Sequence, residues 1–312
     1  MQYAIGIDLG GTFIKGGIVD KSGNIIFKDK TPTEANKGAE KIAENIALLC
    51  EKLLKKAGLK NEEVQIGIGA PGFVDSEKGV VVLAENLGWE NFPIANILQE
   101  RIGCKVKLGN DANAAALGET KFGSGKAYQN TVFVTLGTGV GGGVIIDGKL
   151  FEGVRSAGAE LGHTVIKAGG EKCSCGRRGC LEAYASATAL IRDTKRAMKK
   201  NQESKLWEIG GLDEVTGKTA FDYYDTDKTA KKVVDNYIKM LGVGLTNFAN
   251  EFRPEAILLG GGVCAQGDSL IKPLQKIVNK EIFAGPLGPQ VPVLKATLEN
   301  DAGLLGAAAL VL

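Results

Sequence analysis

Residues 131–151, TVFVTLGTGVGGGVIIDGKLF, decide how this chain folds. An apolar run ends at Leu136, a glycine turn follows, and a second run leads through Asp147-Gly148 into Leu150 and Phe151. Strand-type patterning broken by glycine turns predicts hairpins. The chain opens in the same way: residues 3–9 and 13–19 are predicted strands joined by Gly10-Gly11-Thr12, with a third strand at 24–28. Two openings of one kind, each followed by helices and further strands, predict a duplicated α/β unit with the active site in a cleft between two domains.

Between the two openings, residues 38–57 carry Ile42, Ile46, Leu49 and Leu53 at helical steps, with Gly58 as the stop. Strands are predicted at 64–69, 80–83 and 105–108, with helices near 93–102 and from about 112. After the second opening come helices at 182–200, 227–250 and 268–281, strands at 256–259 and 291–295, and a closing helix at 301–311. The expected division is a smaller domain of residues 1–116, completed by residues 298–312, and a larger one of residues 117–297.

Composition excludes several classes of function. Hydrophobic residues at 44% and charged residues at 24% describe an ordinary globular chain. A net charge of +2 argues neither for nucleic acid nor for an anionic membrane surface as a partner, and neither is expected. The longest apolar run, residues 304–312, is too short to span a bilayer. The opening MQYAIGIDLGG has no basic segment ahead of its strand, and the six cysteines do not form a disulfide-like framework. The expected location is the cytoplasm.

Glycine, at 44 residues, gathers at turns where backbone can approach a ligand. In Asp8-Leu9-Gly10-Gly11-Thr12, free backbone N–H groups could face phosphate oxygens, and Asp8 could hold Mg²⁺ through water. The alternative is a plain Asp-Gly hairpin turn. Gly137-Thr138-Gly139-Val140-Gly141-Gly142 matches G-x-G-x-x-G, but a strand-like VIIDGKL follows, so the dinucleotide fingerprint fails on context. A second phosphate cradle fits better. Gly109-Asn110-Asp111-Ala112-Asn113 stands between a strand and a helix, where Asn or Asp is a natural N-cap. The functional alternative is Asp111 as acceptor of a proton from a substrate hydroxyl. Gly260-Gly261-Gly262 follows a buried strand, either for close packing or to let a flat adenine lie on backbone.

The only histidine, His163, lies within eighteen residues of Cys173, Cys175 and Cys180. One imidazole and three thiolates suit a closed, structural zinc site. Glu160, Glu171 and Glu182 flank it.

With these residues in hand, the chain resembles the ROK family (repressors, open reading frames and kinases), and within it the bacterial glucokinases. The likeness runs through DLGGT (8–12), GAPG (69–72), ENLGW (85–89), NDAN (110–113), LGTGVGGG (136–143), ELGH (160–163), CSCGRRGCLE (173–182), LLGGGV (258–263) and DAGLLGAA (301–308). The resemblance implies an actin/hexokinase-like ATPase fold and ATP-dependent phosphorylation of the 6-hydroxyl of a hexose. Glucose is the first expectation; N-acetylglucosamine, N-acetylmannosamine, mannose and fructose are the alternatives. It further implies Asp111 as catalytic base, and Gly72, Asn86, Asn110, Glu160, His163 and Glu182 around the sugar. Gly10, Gly11 and Thr12, with Asp8 and Lys15, and Gly137, Thr138, Gly139, Gly141 and Gly142 are expected at the phosphates and Mg²⁺, and Gly260, Gly261 and Gly262 at the adenosine. His163, Cys173, Cys175 and Cys180 match zinc ligands, and a homodimer is expected. The family's sugar-sensing repressors need a DNA-binding module ahead of the first hairpin. Here the first strand begins within three residues of Met1, so a kinase is expected.

Overall fold

The opening residues YAIGIDL bury Ala4, Ile5, Ile7 and Leu9, the near-continuous apolar pattern of a strand covered on both faces. In the computed structural model, which describes residues 2–312, they form β1 (Tyr3–Leu9). β2 (Phe13–Asp20), β3 (Ile25–Pro32), α1 (Ala39–Ala57) and β4 (Val64–Ala70) follow. Next come β5 (Phe73–Asp75), β6 (Val80–Ala84), β7 (Trp89–Phe92), α2 (Ile94–Ile102), β8 (Val106–Asn110) and α3 (Asp111–Phe122). The second opening is β9 (Thr131–Leu136), β10 (Val140–Ile146) and β11 (Lys149–Phe151). Then come α4 (Glu182–Ala185), α5 (Ala187–Lys200), α6 (Thr219–Asp222), α7 (Lys228–Phe252) and β12 (Ala256–Gly260). The chain closes with α8 (Asp268–Glu281), β13 (Val293–Lys295) and α9 (Ala302–Ala309).

The two large sheets have one topology. Their orders are β3-β2-β1-β4-β8 and β11-β10-β9-β12-β13, so each is a three-strand meander followed by two added strands. In the first, β4 runs parallel to β1 and β8 parallel to β4; in the second, β12 runs parallel to β9 and β13 parallel to β12. The duplication expected from the glycine hairpins is therefore present at the level of whole sheets.

By contacts the chain divides into two units. One holds the residues up to Asn130, Gly143–Ala159 and Thr297–Leu312; the other holds Thr131–Gly142 and Glu160–Ala296. The expected boundary at 116 would fall inside α3, whose unbroken hydrogen bonding keeps it with the first unit.

In the first unit, α1 lays Ile42, Ile46, Leu49 and Leu53 on the sheet and ends at Gly58, whose left-handed φ of 66° lets its N–H reach the Leu54 and Lys55 carbonyls. The unit also contains a small sheet β5-β6-β7, of which only β6, the strand expected at 80–83, was announced by the sequence. The C-terminal helix α9 crosses α3 at backbone distance. A Cβ on Gly306 would run into the Ala114 carbonyl, and one on Gly118 would come within 2.8 Å of Ala302 O. The fully buried carboxylate of Glu119 fixes the approach to α9 by accepting the backbone N–H groups of Thr297 (3.2 Å) and Leu298 (2.7 Å) and both donors of Ser124. A buried charge is tolerated when donors surround it in this way.

The helix expected over 182–200 is broken at Ser186, whose backbone is extended and whose hydroxyl caps α5 by accepting the Ala189 N–H at 3.0 Å.

Candidate active site

In the first unit the site residues collect at the carboxyl ends of three parallel strands, where open α/β sheets bind ligands. Asp8 of β1 is level with Gly69 of β4, and Gly69 is level with Gly109 of β8. Asn110 and Asp111 follow directly. Asn110 serves the local structure twice: its side-chain oxygen caps α3 by accepting the N–H groups of Ala112 (2.9 Å) and Asn113 (3.1 Å), and its amide donates to the Gly72 carbonyl at 3.1 Å. The N-cap alternative is therefore correct for Asn110. It also leaves Asp111 as the first helical residue, half-buried, with one carboxylate oxygen accepting the Ala112 N–H at 2.8 Å. Negative charge is favoured at that end of a helix.

The β1–β2 turn is pinned from behind. Thr33 donates its hydroxyl to Gly10 O at 2.6 Å and its N–H to Thr12 O at 2.9 Å, which leaves Gly11 and Thr12 exposed. A Cβ on Gly11 would stand 3.7 Å from Asn86 Nδ2, so the expected phosphate turn and the ENLGW loop are neighbours. The Asp8 carboxylate lies 3.2 Å from Lys15 Nζ. A lone carboxylate there is a donor that a largely hydrated Mg²⁺ would use.

In the second unit a cavity of about 360 Å³ opens where β9 and β12 end, a size suited to a small cofactor. Gly137 and Thr138 line one side, and Gly262, Val263 and Gln266 another. Neither Gly137 nor Gly262 has a positive φ, and a Cβ on either would meet nothing within 4 Å. The fold itself does not require glycine there; the missing side chains enlarge the cavity. Thr216, Gly217 and Lys218 form a wall that sequence reasoning missed. No motif marks them, because they lie in irregular chain just ahead of the short α6.

The donor atoms of His163, Cys173, Cys175 and Cys180 all lie within 4.8 Å of one another. Tetrahedral zinc with arms of about 2.3 Å needs donor–donor edges of about 3.8 Å. Cys175 Sγ and Cys180 Sγ are 3.7 Å apart, and Cys173 Sγ is 3.6 Å from His163 Nδ1. The residues fit the metal. Burial pushes the Cys180 thiol up to about 12 and the Cys173 thiol upward, while the Arg177 backbone N–H pulls Cys175 down. Gathering three thiolates here thus calls for a cation.

His163 is held one turn after Glu160, its N–H donating to Glu160 O at 3.0 Å. With Nδ1 toward Cys173, Nε2 stays available. Glu182, expected at the sugar, turns its carboxylate to Val140 N–H (3.1 Å) and to the Ser174 hydroxyl (2.8 Å).

Comparison with known proteins bears on these parts together. A family model described as the ROK family matches residues 4–312. A glucokinase of Halalkalibacterium halodurans is 39% identical over 312 residues, covering 98% of this chain and 93% of that protein. A glucokinase of Thermotoga maritima is 39% identical over 310 residues, covering 98% and 96%. Among solved structures, a ROK family glucokinase from Streptomyces griseus in complex with glucose and AMPPNP superposes with a TM-score of 0.82 at 36% identity, covering 99% of each chain.

Proposed function

The chain belongs to the ROK family, and from that premise we propose that it transfers the terminal phosphoryl group of ATP to the 6-hydroxyl of glucose, with Asp111 as general base. The fold is the duplicated actin/hexokinase-like α/β fold. The observation that carries the proposal is the near full-length likeness to glucokinases in a chain whose Asp111 stands at the carboxyl ends of the β1–β4–β8 strands.

Phosphoryl transfer goes through a loose transition state, so the protein mainly positions its ligands and stabilises charge. Asp111 accepts the 6-hydroxyl proton late in the transfer. Asn110, Asn86 and the Gly72 loop orient the sugar, and Glu160 and Nε2 of His163 hold sugar hydroxyls. Zinc, when bound by His163, Cys173, Cys175 and Cys180, fixes that loop without taking part in the chemistry. The turns Gly10–Thr12 and Gly137–Gly142 take phosphate oxygens, and adenosine lies between Gly260–Gly262 and the Thr216–Lys218 wall. Asp8, beside Lys15, would hold Mg²⁺ through water, and the ion would supply charge neutralisation at the phosphates.

The reading includes a cytoplasmic location and a homodimer. All six cysteines are free, as a reducing compartment would leave them. Phe283 and Leu287, 80% and 97% exposed, are side chains that a partner copy would cover. Among the described residues no helix is long and apolar enough to cross a membrane.

Two tests follow from the assigned ligands. Filling the open position at Gly262 with valine should raise KM for ATP at least tenfold, about 1.4 kcal/mol of binding, with thermal stability unchanged; an unaltered KM would remove Gly262 from the adenosine site. Coupled ADP release over a panel of hexoses should give the highest kcat/KM for glucose. A higher value for an N-acetylated sugar or fructose would reassign the substrate.

A further inference from the structure

The chain that follows β11 is held in a costly shape. Arg155, Ser156 and Ala159 have φ of 54°, 56° and 61°, left-handed values that suit glycine and strain a residue with a Cβ. The segment doubles back on itself, with Gly158 N–H donating to Glu152 O at 2.7 Å. What fixes the shape is the turn between β5 and β6. Asp75, its side chain 3% exposed, accepts Arg155 Nε–H on Oδ2 at 3.3 Å and the Lys78 N–H on Oδ1 at 3.2 Å. Lys78 Nζ lies 3.8 Å from the same Oδ2. Next to it, the hydroxyls of Ser76 and Ser156 are 2.6 Å apart, and Ser76 N–H donates to Ser156 Oγ at 3.3 Å. Ser156 is itself buried and passes its own proton to Glu152 Oε1 at 3.0 Å.

The other end of the β5–β6 hairpin carries groups assigned to the sugar. Gly72 precedes β5 and Asn86 follows β6. A Cβ on Gly72 would run into the Leu83 carbonyl, and Asn110 donates its amide to Gly72 O at 3.1 Å. β5 has three residues and pairs with β6 across a register shift at Phe73 and Val74, so backbone pairing alone holds this hairpin weakly.

We propose that Asp75 and Ser76 are positioning residues for the sugar: they clamp residues 152–159 as a strap over the hairpin turn, and the strap sets how the hairpin presents Gly72 and Asn86. The proposal rests on the sugar site assigned above. A buried carboxylate bonded to a guanidinium and a backbone N–H is a charge-assisted link, stronger than a neutral one. Backbone strain persists only where its surroundings over-determine it, and it gathers at functional sites. A strap that served packing alone would lose nothing with glycine at 155 and 156. The strap ends at Ala159, and Glu160, also assigned to the sugar, is the next residue.

The test is steady-state phosphorylation of glucose, with glucose and ATP varied in turn and melting temperature measured for each variant. Asp75→Ala should raise KM for glucose roughly tenfold while kcat and KM for ATP stay within about twofold, the signature of lost ground-state binding. Asp75→Asn keeps an acceptor oxygen for Arg155 and should recover part of the loss. Ser156→Ala keeps the strained angle and Ser156→Gly relieves it; both lose the bond to Ser76. The glycine variant should therefore melt higher than the alanine variant, while both raise KM for glucose by a similar factor of about three. Combining Asp75→Ala with Ser156→Ala should raise KM by less than the product of the single effects, because both act through one strap. Unchanged KM for glucose in Asp75→Ala, or a KM that follows melting temperature across the two Ser156 variants, would overturn the proposal. Should Asp75→Ala fail to fold, unchanged KM in both Ser156 variants would overturn it equally. Wild-type turnover of glucose is the reference for every ratio, so failure of the substrate assignment shows in the wild type and failure of the strap only in the variants.

Discussion

Replacing Asp111 with alanine should lower kcat by roughly 10³-fold, the usual weight of a positioned general base, or about 4 kcal/mol of barrier, while glucose still binds. The argument is positional. Asp111 begins α3 at the carboxyl ends of the β1–β4–β8 strands, one residue after a side chain that caps the helix. Asn110 supplies the cap, so α3 does not depend on the Asp111 carboxylate to start. The Asp111→Asn variant separates charge from shape: it keeps an oxygen for the Ala112 N–H and should be nearly as inactive as the alanine variant. Melting temperature and glucose affinity, measured alongside turnover, should stay near wild type in both. Turnover within tenfold of wild type would remove Asp111 as the base.

Cys175→Ala should abolish stoichiometric zinc and raise KM for glucose by roughly 10²-fold, the upper range for loss of support around a metal site. Cys175 is exposed while Cys173 and Cys180 are buried, so its removal disturbs little packing, and the effect must act through the metal. Without the ion, His163 loses the partner that aims its ring. Because burial raises the Cys173 and Cys180 thiols, metal uptake must release protons, and zinc should be held less tightly as pH falls. Measuring zinc per chain and KM together decides the matter. Zinc lost with an unchanged KM would leave the cluster as a structural clip remote from the sugar.

Much of this was legible in the sequence because period and punctuation agreed. The two glycine hairpins each sit between apolar strands, and their repetition foretold two sheets of one order. The α1 stripe and its Gly58 stop were equally plain. The cluster that could hold a metal was visible because the only histidine fell beside three cysteines. What stayed hidden depends on distance or on very short elements. β5 and β7 have three and four residues, too few for a period to register. Glu119 finds its backbone donors at Thr297 and Leu298, far along the chain, so nothing local marks it as a buried lock. Thr216–Lys218 reach the cavity only because the irregular chain ahead of α6 folds back there. Ser186 lies in a run of good helix formers, and its role as a cap rather than an interior residue is a choice of backbone. The aim of Glu182 likewise depends on where the turn 137–140 comes to rest, which no spacing in the sequence reports.

The most direct measurement is ³¹P NMR of the product formed from ATP and glucose by the wild-type chain. The expected spectrum shows ADP and one phosphate monoester coupled to the two protons on C6 of glucose, in equal amounts. Phosphate appearing only as the free anion, or on another carbon, would contradict transfer to the 6-hydroxyl.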